Sequence, residues 1–180
     1  MLALKEFHIP FVGLALGKHF YSFRIGEKFF ACFESGEVET GDIKCQLSLE
    51  KKSDMLILDF SLEGFVDIQC DLCLEDYPQE INSNKCLYVK FGEYYQEPTD
   101  EIIVIPAGQQ EINIAQYAYE FIILGLPQKR VHPGGIGDRL NCDKEAIKKL
   151  EKYLSKGGSK KQDNESTDSR WDELKKLKFD

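Results

Sequence analysis

The sequence predicts an α+β fold: an antiparallel, partly barrel-like sheet with one main helix, a metal-clamped loop and a flexible C-terminal tail. Three observations lead to this prediction. Apolar residues alternate with polar ones through much of residues 39–105, which is typical of half-buried strands. The spacing then becomes helical after Asn113. Finally, a Cys-x-x-Cys pair, Cys70 and Cys73, lies between two of the predicted strands.

Length and composition favour a single soluble domain. The 180 residues suffice for one substantial core with a tail, and the chain is 42% hydrophobic and 30% charged. It contains no run of about 18 apolar residues, so we expect no membrane-spanning helix. Lys5 and Glu6 interrupt the apolar N-terminus and no small-residue cleavage pattern follows, so we expect no signal peptide. The expected location is therefore cytoplasmic, with reduced thiols.

The opening segment, residues 1–34, is expected to be rich in strand. Phe7, Ile9 and Phe11 alternate with other residues in the manner of a strand. A short helix is expected at 27–33, where it would pack its phenylalanines against the rest of the domain.

The clearest strands form a predicted hairpin. Residues 39–52 carry apolar side chains at alternate positions, and a polar turn follows. The longest period-two run of the chain then extends over 56–70, with Gly64 expected to mark a bulge or a bend. A third run at 81–91 and a fourth at 102–105 extend the predicted sheet.

The main helix is expected to begin at Asn113, because Asn113 and Gln116 have the spacing of a capping box. Apolar residues then recur on one face, and Gly125 and Pro127 end the pattern. This helix is expected to pack against the sheet.

Three regions are expected along the chain. Residues 1–154 form a single domain, whose last helix is short, amphipathic and capped by Asp143. Residues 155–168 are poor in apolar side chains and read as a flexible linker. Residues 169–180 form a short amphipathic segment.

This C-terminal segment carries the single tryptophan of the chain, Trp171. Leu174 and Leu177 follow it at helical spacing. Such a segment either docks on its own domain or binds a shallow apolar groove of a partner. Both alternatives stay open from the residues alone.

The Cys70–Cys73 pair supplies two thiolates from one tight turn, which is half of a tetrahedral zinc site. The other half is predicted to come from the loop that begins at His132 and ends at Cys142. A Cys₃His set is a closed structural site, so the predicted zinc clamps two distant stretches of chain and catalyses nothing.

Two other interpretations of the pair remain. In the first, the thiols are reduced and packed locally, and His132 is an ordinary loop residue. In the second, Cys70 and Cys73 form a redox pair. The position between two strands argues against the redox pair, because redox motifs of the thioredoxin type open a helix after a strand.

No catalytic motif occurs in the sequence: it lacks a phosphate-binding loop, a nucleophile elbow and a His-Glu-x-x-His element. We therefore expect a protein that is not an enzyme and has no small-molecule substrate.

Charge is distributed unevenly along the chain. The net charge of −8 argues against a general nucleic-acid binder, because phosphate contacts need lysine and arginine. Residues 1–142 carry a net charge of −10, however, whereas residues 143–180 carry +2. A local basic edge for an RNA backbone is predicted beside the metal loop, formed by Lys129, Arg130, Arg139, Lys144, Lys148 and Lys149.

Four motifs in order carry a family resemblance. The first is CDLCLE at 70–75 and the second is EFIILGLP at 120–127, similar to a Cys-x-x-Cys-Leu element and to a Glu-x-Ile-Ile-Leu-x-Leu-Pro helix end. The third is His132 followed by Cys142, and the fourth is DSRWDEL at 168–174, similar to Asp-Pro-Arg-Trp-x-x-Leu. Over roughly residues 40–180 the chain thereby resembles the YceD family, the large ribosomal RNA subunit accumulation proteins.

The resemblance implies a bacterial, non-enzymatic protein needed for the accumulation or processing of 23S ribosomal RNA, with a metal site and nucleic-acid binding. The implied partners are 23S ribosomal RNA or its precursor and a large-subunit ribosomal protein. Many relatives carry cysteine at the position of His132 and have closer downstream ligands, so this chain departs from the family at that point.

Two other classes of function stay open at this stage. In the first, the chain is a protein-interaction adaptor whose acidic body binds a basic ribosomal protein, so that effects on RNA are indirect. In the second, it is a thiol–disulfide enzyme that uses Cys70 and Cys73.

Overall fold

The computed structural model describes residues 2–33, 36–133 and 142–153. A 3₁₀ helix at Leu2–Phe7 opens the chain. The helices are α1 (Glu27–Phe30), α2 (Ala115–Ile123) and α3 (Lys144–Tyr153). The strands are β1 (His8–Pro10), β2 (Gly17–Gly26), β3 (Thr40–Lys51), β4 (Met55–Gln69), β5 (Asp76–Gly92), β6 (Gln96–Thr99), β7 (Ile102–Pro106) and β8 (Glu111–Asn113).

The predicted α+β class is confirmed. Within the described residues, six strands form the main sheet in the order β2-β3-β4-β5-β7-β6, and β1 pairs with β8 in a separate two-stranded sheet. Over these same residues the main sheet does not close into a barrel, because β2 and β6 are two different edges. Its strands are antiparallel except for the pair β5 and β7, which run parallel. The parallel pair arises because β6 lies outside β7, so that the chain returns beside β5 in its original direction.

The first three predicted strands of the sheet, at 39–52, 56–70 and 81–91, correspond to β3, β4 and β5. Strands β3, β4 and β5 run antiparallel, and the apolar side of each alternates with an exposed side. This alternation buries one face of the sheet against the helices and leaves the other open. The fourth predicted strand corresponds to β7, whereas β6 was not predicted, because all four of its residues are exposed and none shows apolar alternation.

Gly64 lies in an unbroken register and is not a bulge. It pairs with Ile43 on β3 and with Ile81 on β5. Its φ is +151°, and a Cβ built there would lie 2.1 Å from the carbonyl oxygen of Asp42. Glycine is therefore required by the close approach of β3 and by a backbone conformation that other residues rarely adopt.

Helix α2 covers the buried face of the sheet. Its residues Ala118 and Ile122 are fully buried, and the ring of Phe121 lies edge-on to Phe60 of β4 at 5.2 Å between centroids. The N-terminal aromatic residues extend the same core, which continues through stacked rings from Phe33 to Tyr119 of α2. The helix thereby carries the chain back across the sheet toward the end of β4.

The capping box predicted at the start of α2 is not formed. The Asn113 side-chain oxygen accepts a hydrogen bond from the amide of Ala115 at 2.8 Å, but Gln116 donates to Glu120 and does not reach back. The helix ends as expected before Gly125, whose amide donates to two carbonyls of the last turn.

Helix α3 begins at Lys144, two residues after Cys142. The carboxylate of Asp143 accepts a hydrogen bond from the amide of Ala146 at 2.7 Å, so the predicted cap is present. Ile147 is buried, as the amphipathic pattern requires. The predicted linker at 155–168 and the amphipathic segment at 169–180 lie outside the described residues.

Candidate metal centre

The Cys70–Cys73 pair lies in the turn between β4 and β5. The amide of Cys70 donates to the carbonyl of Glu75, and the amide of Leu74 donates to the carbonyl of Cys70, both at 2.9 Å. Leu74 completes the turn with a φ of 65°, a left-handed conformation that is uncommon for leucine. The amide of Leu72 approaches the Cys70 sulfur at 3.4 Å. This closed turn brings both sulfur atoms to one side.

The segment after α2 is tied to this turn by Asp71. The amide of Asp71 donates to the carbonyl of Arg130 at 2.7 Å, and the Asp71 carboxylate accepts a hydrogen bond from the amide of Arg130 at 2.8 Å. The guanidinium of Arg130 in turn pairs with Glu37. These bonds hold the chain in place two residues before His132.

The four predicted ligands, which are distant in sequence, converge at one point. One ligand atom from each of Cys70, Cys73, His132 and Cys142 lies within 4.8 Å of the others. The sulfur atoms of Cys70 and Cys142 are 3.9 Å apart, and Nδ1 of His132 lies 3.6 Å from the Cys73 sulfur and 3.5 Å from the Cys142 sulfur.

These distances match the edges of a tetrahedral zinc site. Zn–S bonds of about 2.3 Å and a Zn–N bond of about 2.05 Å give edges of about 3.8 Å between two sulfur atoms and about 3.6 Å between sulfur and nitrogen. The donor set and its spacing therefore fit zinc. Four protein ligands would fill its coordination shell, which leaves no position for a substrate or an activated water.

The centre is shielded from solvent. Cys70, Cys73 and Cys142 are buried, and His132 is half-buried. The ring of Tyr77 packs against the imidazole of His132 at 4.9 Å between centroids. Sequence reasoning missed Tyr77 and Asp71 as supporting residues, although both lie within four residues of Cys73.

The pKa values of two of the ligand thiols are shifted in opposite directions. Burial opposes ionisation of Cys70, but hydrogen bonds from three backbone amides and from the Cys73 side chain outweigh it and lower the pKa of Cys70 to about 6. Burial, together with the neighbouring sulfurs, raises the pKa of Cys142 to about 12. All six cysteines are free. Cys70 therefore ionises more readily than Cys142, which must lose its proton to bind a metal.

The predicted basic residues flank this centre in the chain. Lys129 is exposed three residues before His132, and Lys144, Lys148 and Lys149 are exposed on α3, which begins beside Cys142. Arg130 is partly buried and paired with Glu37, so its charge is already compensated. Arg139 lies outside the described residues, as do Trp171, Leu174 and Leu177.

A model of the family described as large ribosomal RNA subunit accumulation protein YceD matches residues 58–178, about two thirds of the chain. The match begins within β4 and includes all four residues of the candidate metal centre. Comparisons with curated proteins and with solved structures gave no match. Within the part of the chain that the structure describes, no helix is both long and apolar enough to cross a membrane.

Proposed function

Because the chain belongs to the YceD family of large ribosomal RNA subunit accumulation proteins, we propose that it is a non-enzymatic factor in ribosome biogenesis that supports accumulation or processing of 23S ribosomal RNA. Its metal centre holds a structural zinc ion, and a basic edge beside that ion contacts RNA. The protein acts in the cytoplasm, where bacterial ribosomes are assembled.

The observation that carries this proposal is the convergence of a Cys₃His set inside the region shared with the family. Cys70 and Cys73 come from one turn, whereas His132 and Cys142 come from the chain between α2 and α3. A zinc ion bound there fixes the start of α3 against the β4–β5 turn. Its role is to hold a surface in shape.

The basic edge is supported by the position of α3. Lys144 and Lys148 are one helical turn apart and therefore lie on the same face of the helix. Both are exposed, as is Lys149, while Ile147 is buried against the domain. The three lysines are thus exposed on the helix that follows Cys142, and exposed lysines can contact phosphate groups.

The surroundings of the Cys70–Cys73 pair also favour a metal over a thiol–disulfide enzyme. A redox pair needs one thiolate and a resolving thiol, but not a third cysteine and a histidine at coordination distance. His132 and Cys142 complete a four-ligand set, and all of these cysteines are buried, whereas a redox thiol needs access to its substrate.

The proposal is tested in two steps. Protein purified without added metal should contain about one zinc ion per chain by elemental analysis. Depletion of the protein in its native host should then lower the ratio of 23S to 16S ribosomal RNA, and the protein should sediment with precursors of the large subunit. A normal RNA ratio after complete depletion would contradict the proposed function.

A further inference from the structure

A concave surface lies between α2 and the edge of the main sheet. It encloses about 650 Å³. One wall comes from α2 and the residue that follows it, and the other comes from β6, the turn after it and β7. We name it the acidic groove and define it by Glu97, Asp100, Ile103, Tyr117, Glu120 and Leu124.

The groove has an apolar side that no described residue covers. Ile103 is buried at its base, whereas the side chain of Leu124 is 67% exposed. Tyr117 packs partly against the core and hydrogen-bonds through its hydroxyl to Tyr95, whose ring is also exposed. An apolar side chain of a partner would therefore find contacts here.

The lining of the groove is negatively charged, because it carries Glu37, Glu97, Asp100 and Glu120, of which Glu37 pairs with the guanidinium of Arg130. Among the described residues that line it, none is lysine, arginine or histidine. The carboxylate of Glu97 accepts a hydrogen bond from the Tyr95 hydroxyl, and that of Glu120 accepts one from the Gln116 amide, so both have neutral donors. Burial, and the negative charges of Glu97 and Glu120, raise the pKa of Tyr117.

The spacing of these carboxylates limits the cation that they would bind. Within the described ranges, the residues that form a group of three or more ligands close enough to hold one ion are those of the metal centre, so no three carboxylates of the groove converge on one point. Phosphate groups would be repelled, which excludes RNA. The complementary ligand is an extended cation with several separated charges.

We propose that the acidic groove docks a lysine- and arginine-rich segment of another protein, with an apolar side chain of that segment packed beside Leu124. The inference goes beyond the proposed function, since it requires neither zinc nor RNA contact. Pro98 in β6 lacks an amide hydrogen, which interrupts any strand added along this edge. Recognition therefore rests on side chains, through charge complementarity around an apolar anchor.

The probe for this proposal is a fluorescein-labelled peptide of about 12 residues that repeats Lys-Leu-Arg-Lys, titrated with the full chain and followed by fluorescence anisotropy. The groove variant Glu97→Gln/Asp100→Asn/Glu120→Gln should bind it at least about tenfold more weakly. The control variant Glu6→Gln/Glu27→Gln/Asp54→Asn removes the same charge from exposed positions outside the groove and should bind within about twofold of wild type.

A separate set of variants tests the apolar contact at Leu124. Leu124→Ser should weaken binding about fivefold, because an exposed leucine contributes roughly 1 kcal/mol when a partner covers it. A peptide with serine in place of leucine should show the same loss against wild type and no further loss against Leu124→Ser. Thermal unfolding of each variant verifies the fold, and the single variant Asp100→Asn replaces the triple variant if that one unfolds.

Four results would overturn the proposal. Equal weakening in the groove and control variants would show a general effect of net charge. Tighter peptide binding by the full-length Trp171→Ala/Leu174→Ala variant would assign the groove to the C-terminal segment of this chain. If the 20.7 kDa chain forms a dimer and the groove variant is a monomer, the groove would be assigned to a second copy of this chain. Loss of affinity for a 23S RNA fragment in the groove variant would assign it to RNA.

Discussion

The sulfur of Cys73 lies 3.6 Å from Nδ1 of His132, although 59 residues separate the two in the chain. Strands β5 to β8 and helix α2 lie between them in sequence. The contact is therefore a product of the tertiary fold, and the paired bonds between Asp71 and Arg130 join the same two segments. A metal held by the four ligands would join these segments at a second point.

Removal of one ligand should abolish zinc binding. In the variant Cys142→Ser, a buried hydroxyl replaces a thiolate, and we expect the zinc content to fall from about one ion per chain to less than about 0.2. Elemental analysis of protein purified without added metal provides the measurement. Cys32→Ser is the matched control, because Cys32 lies outside the centre and its sulfur donates to the carbonyl of Lys28, a bond that serine retains. Zinc retained in full by Cys142→Ser would remove Cys142 from the ligand set.

Chelation should loosen the junction and leave the sheet intact. The bonds around the centre connect the Cys70–Glu75 turn to the chain at Arg130, whereas β3 and β4 pair along their whole length elsewhere. On removal of zinc, we expect faster hydrogen exchange at the amides of Asp71 and Leu74, with little change at Leu47 or Leu58. Uniformly faster exchange throughout the sheet would mean that the metal supports the whole fold.

Zinc affinity should rise with pH. A metal binds the thiolate, and the pKa of Cys142, raised to about 12, keeps that ligand protonated across the working range, so its proton is released on binding. Cys70, whose pKa is lowered to about 6, releases a second proton on metal binding only below about pH 6, where its thiol is protonated. Because these thiols release protons on binding, the apparent affinity for zinc should increase at least about tenfold per pH unit between about pH 6.5 and 8. Competition against a chromophoric chelator measures this slope, and a flat profile would contradict it.

Much of the sheet was predictable because β3, β4 and β5 each bury one face, which leaves apolar residues at alternate positions over much of each strand. The Cys70–Cys73 turn was predictable for the same reason, since it interrupts that alternation. Gly64 shows the limit of such reasoning: a glycine within a strand suggests a bulge, but its cause is the approach of the Asp42 carbonyl from a neighbouring strand. No local pattern encodes that approach.

The partners of the centre illustrate the same limit. The sequence offered His132 and Cys142 by residue type alone, while the bonds of Asp71 to Arg130 depend on how α2 returns the chain to the turn. The parallel pairing of β5 and β7 could not be predicted either, because β6, the strand that redirects the chain, is polar and exposed. These features arise from long-range contacts, which periodicity does not report.

Reversal of charge on α3 should weaken RNA binding. In Lys144→Glu/Lys148→Glu/Lys149→Glu we expect affinity for a 23S fragment to fall at least about tenfold, and the slope of log K against log salt to become shallower by about 2, since about 0.7 is lost per phosphate contact to single strands. The control Lys18→Glu/Lys44→Glu/Lys90→Glu changes the net charge equally at exposed positions on three strands. Filter binding at several salt concentrations compares them, and equal losses in both variants would refute a local basic edge.

Gly64 should tolerate no side chain. Its φ of +151° belongs to a region that is nearly exclusive to glycine, and the Cβ of alanine would meet the Asp42 carbonyl oxygen at 2.1 Å and the Ile43 Cα at 2.8 Å. Both obstacles are backbone atoms of β3, which cannot rotate away, so β3 and β4 must separate locally. We expect Gly64→Ala to lower the free energy of unfolding by about 2–3 kcal/mol in urea titrations. Gly108→Ala is the control, because nothing lies within 4 Å of its added Cβ. If the two variants unfold at the same urea concentration, β3 and β4 do not approach each other this closely at Gly64.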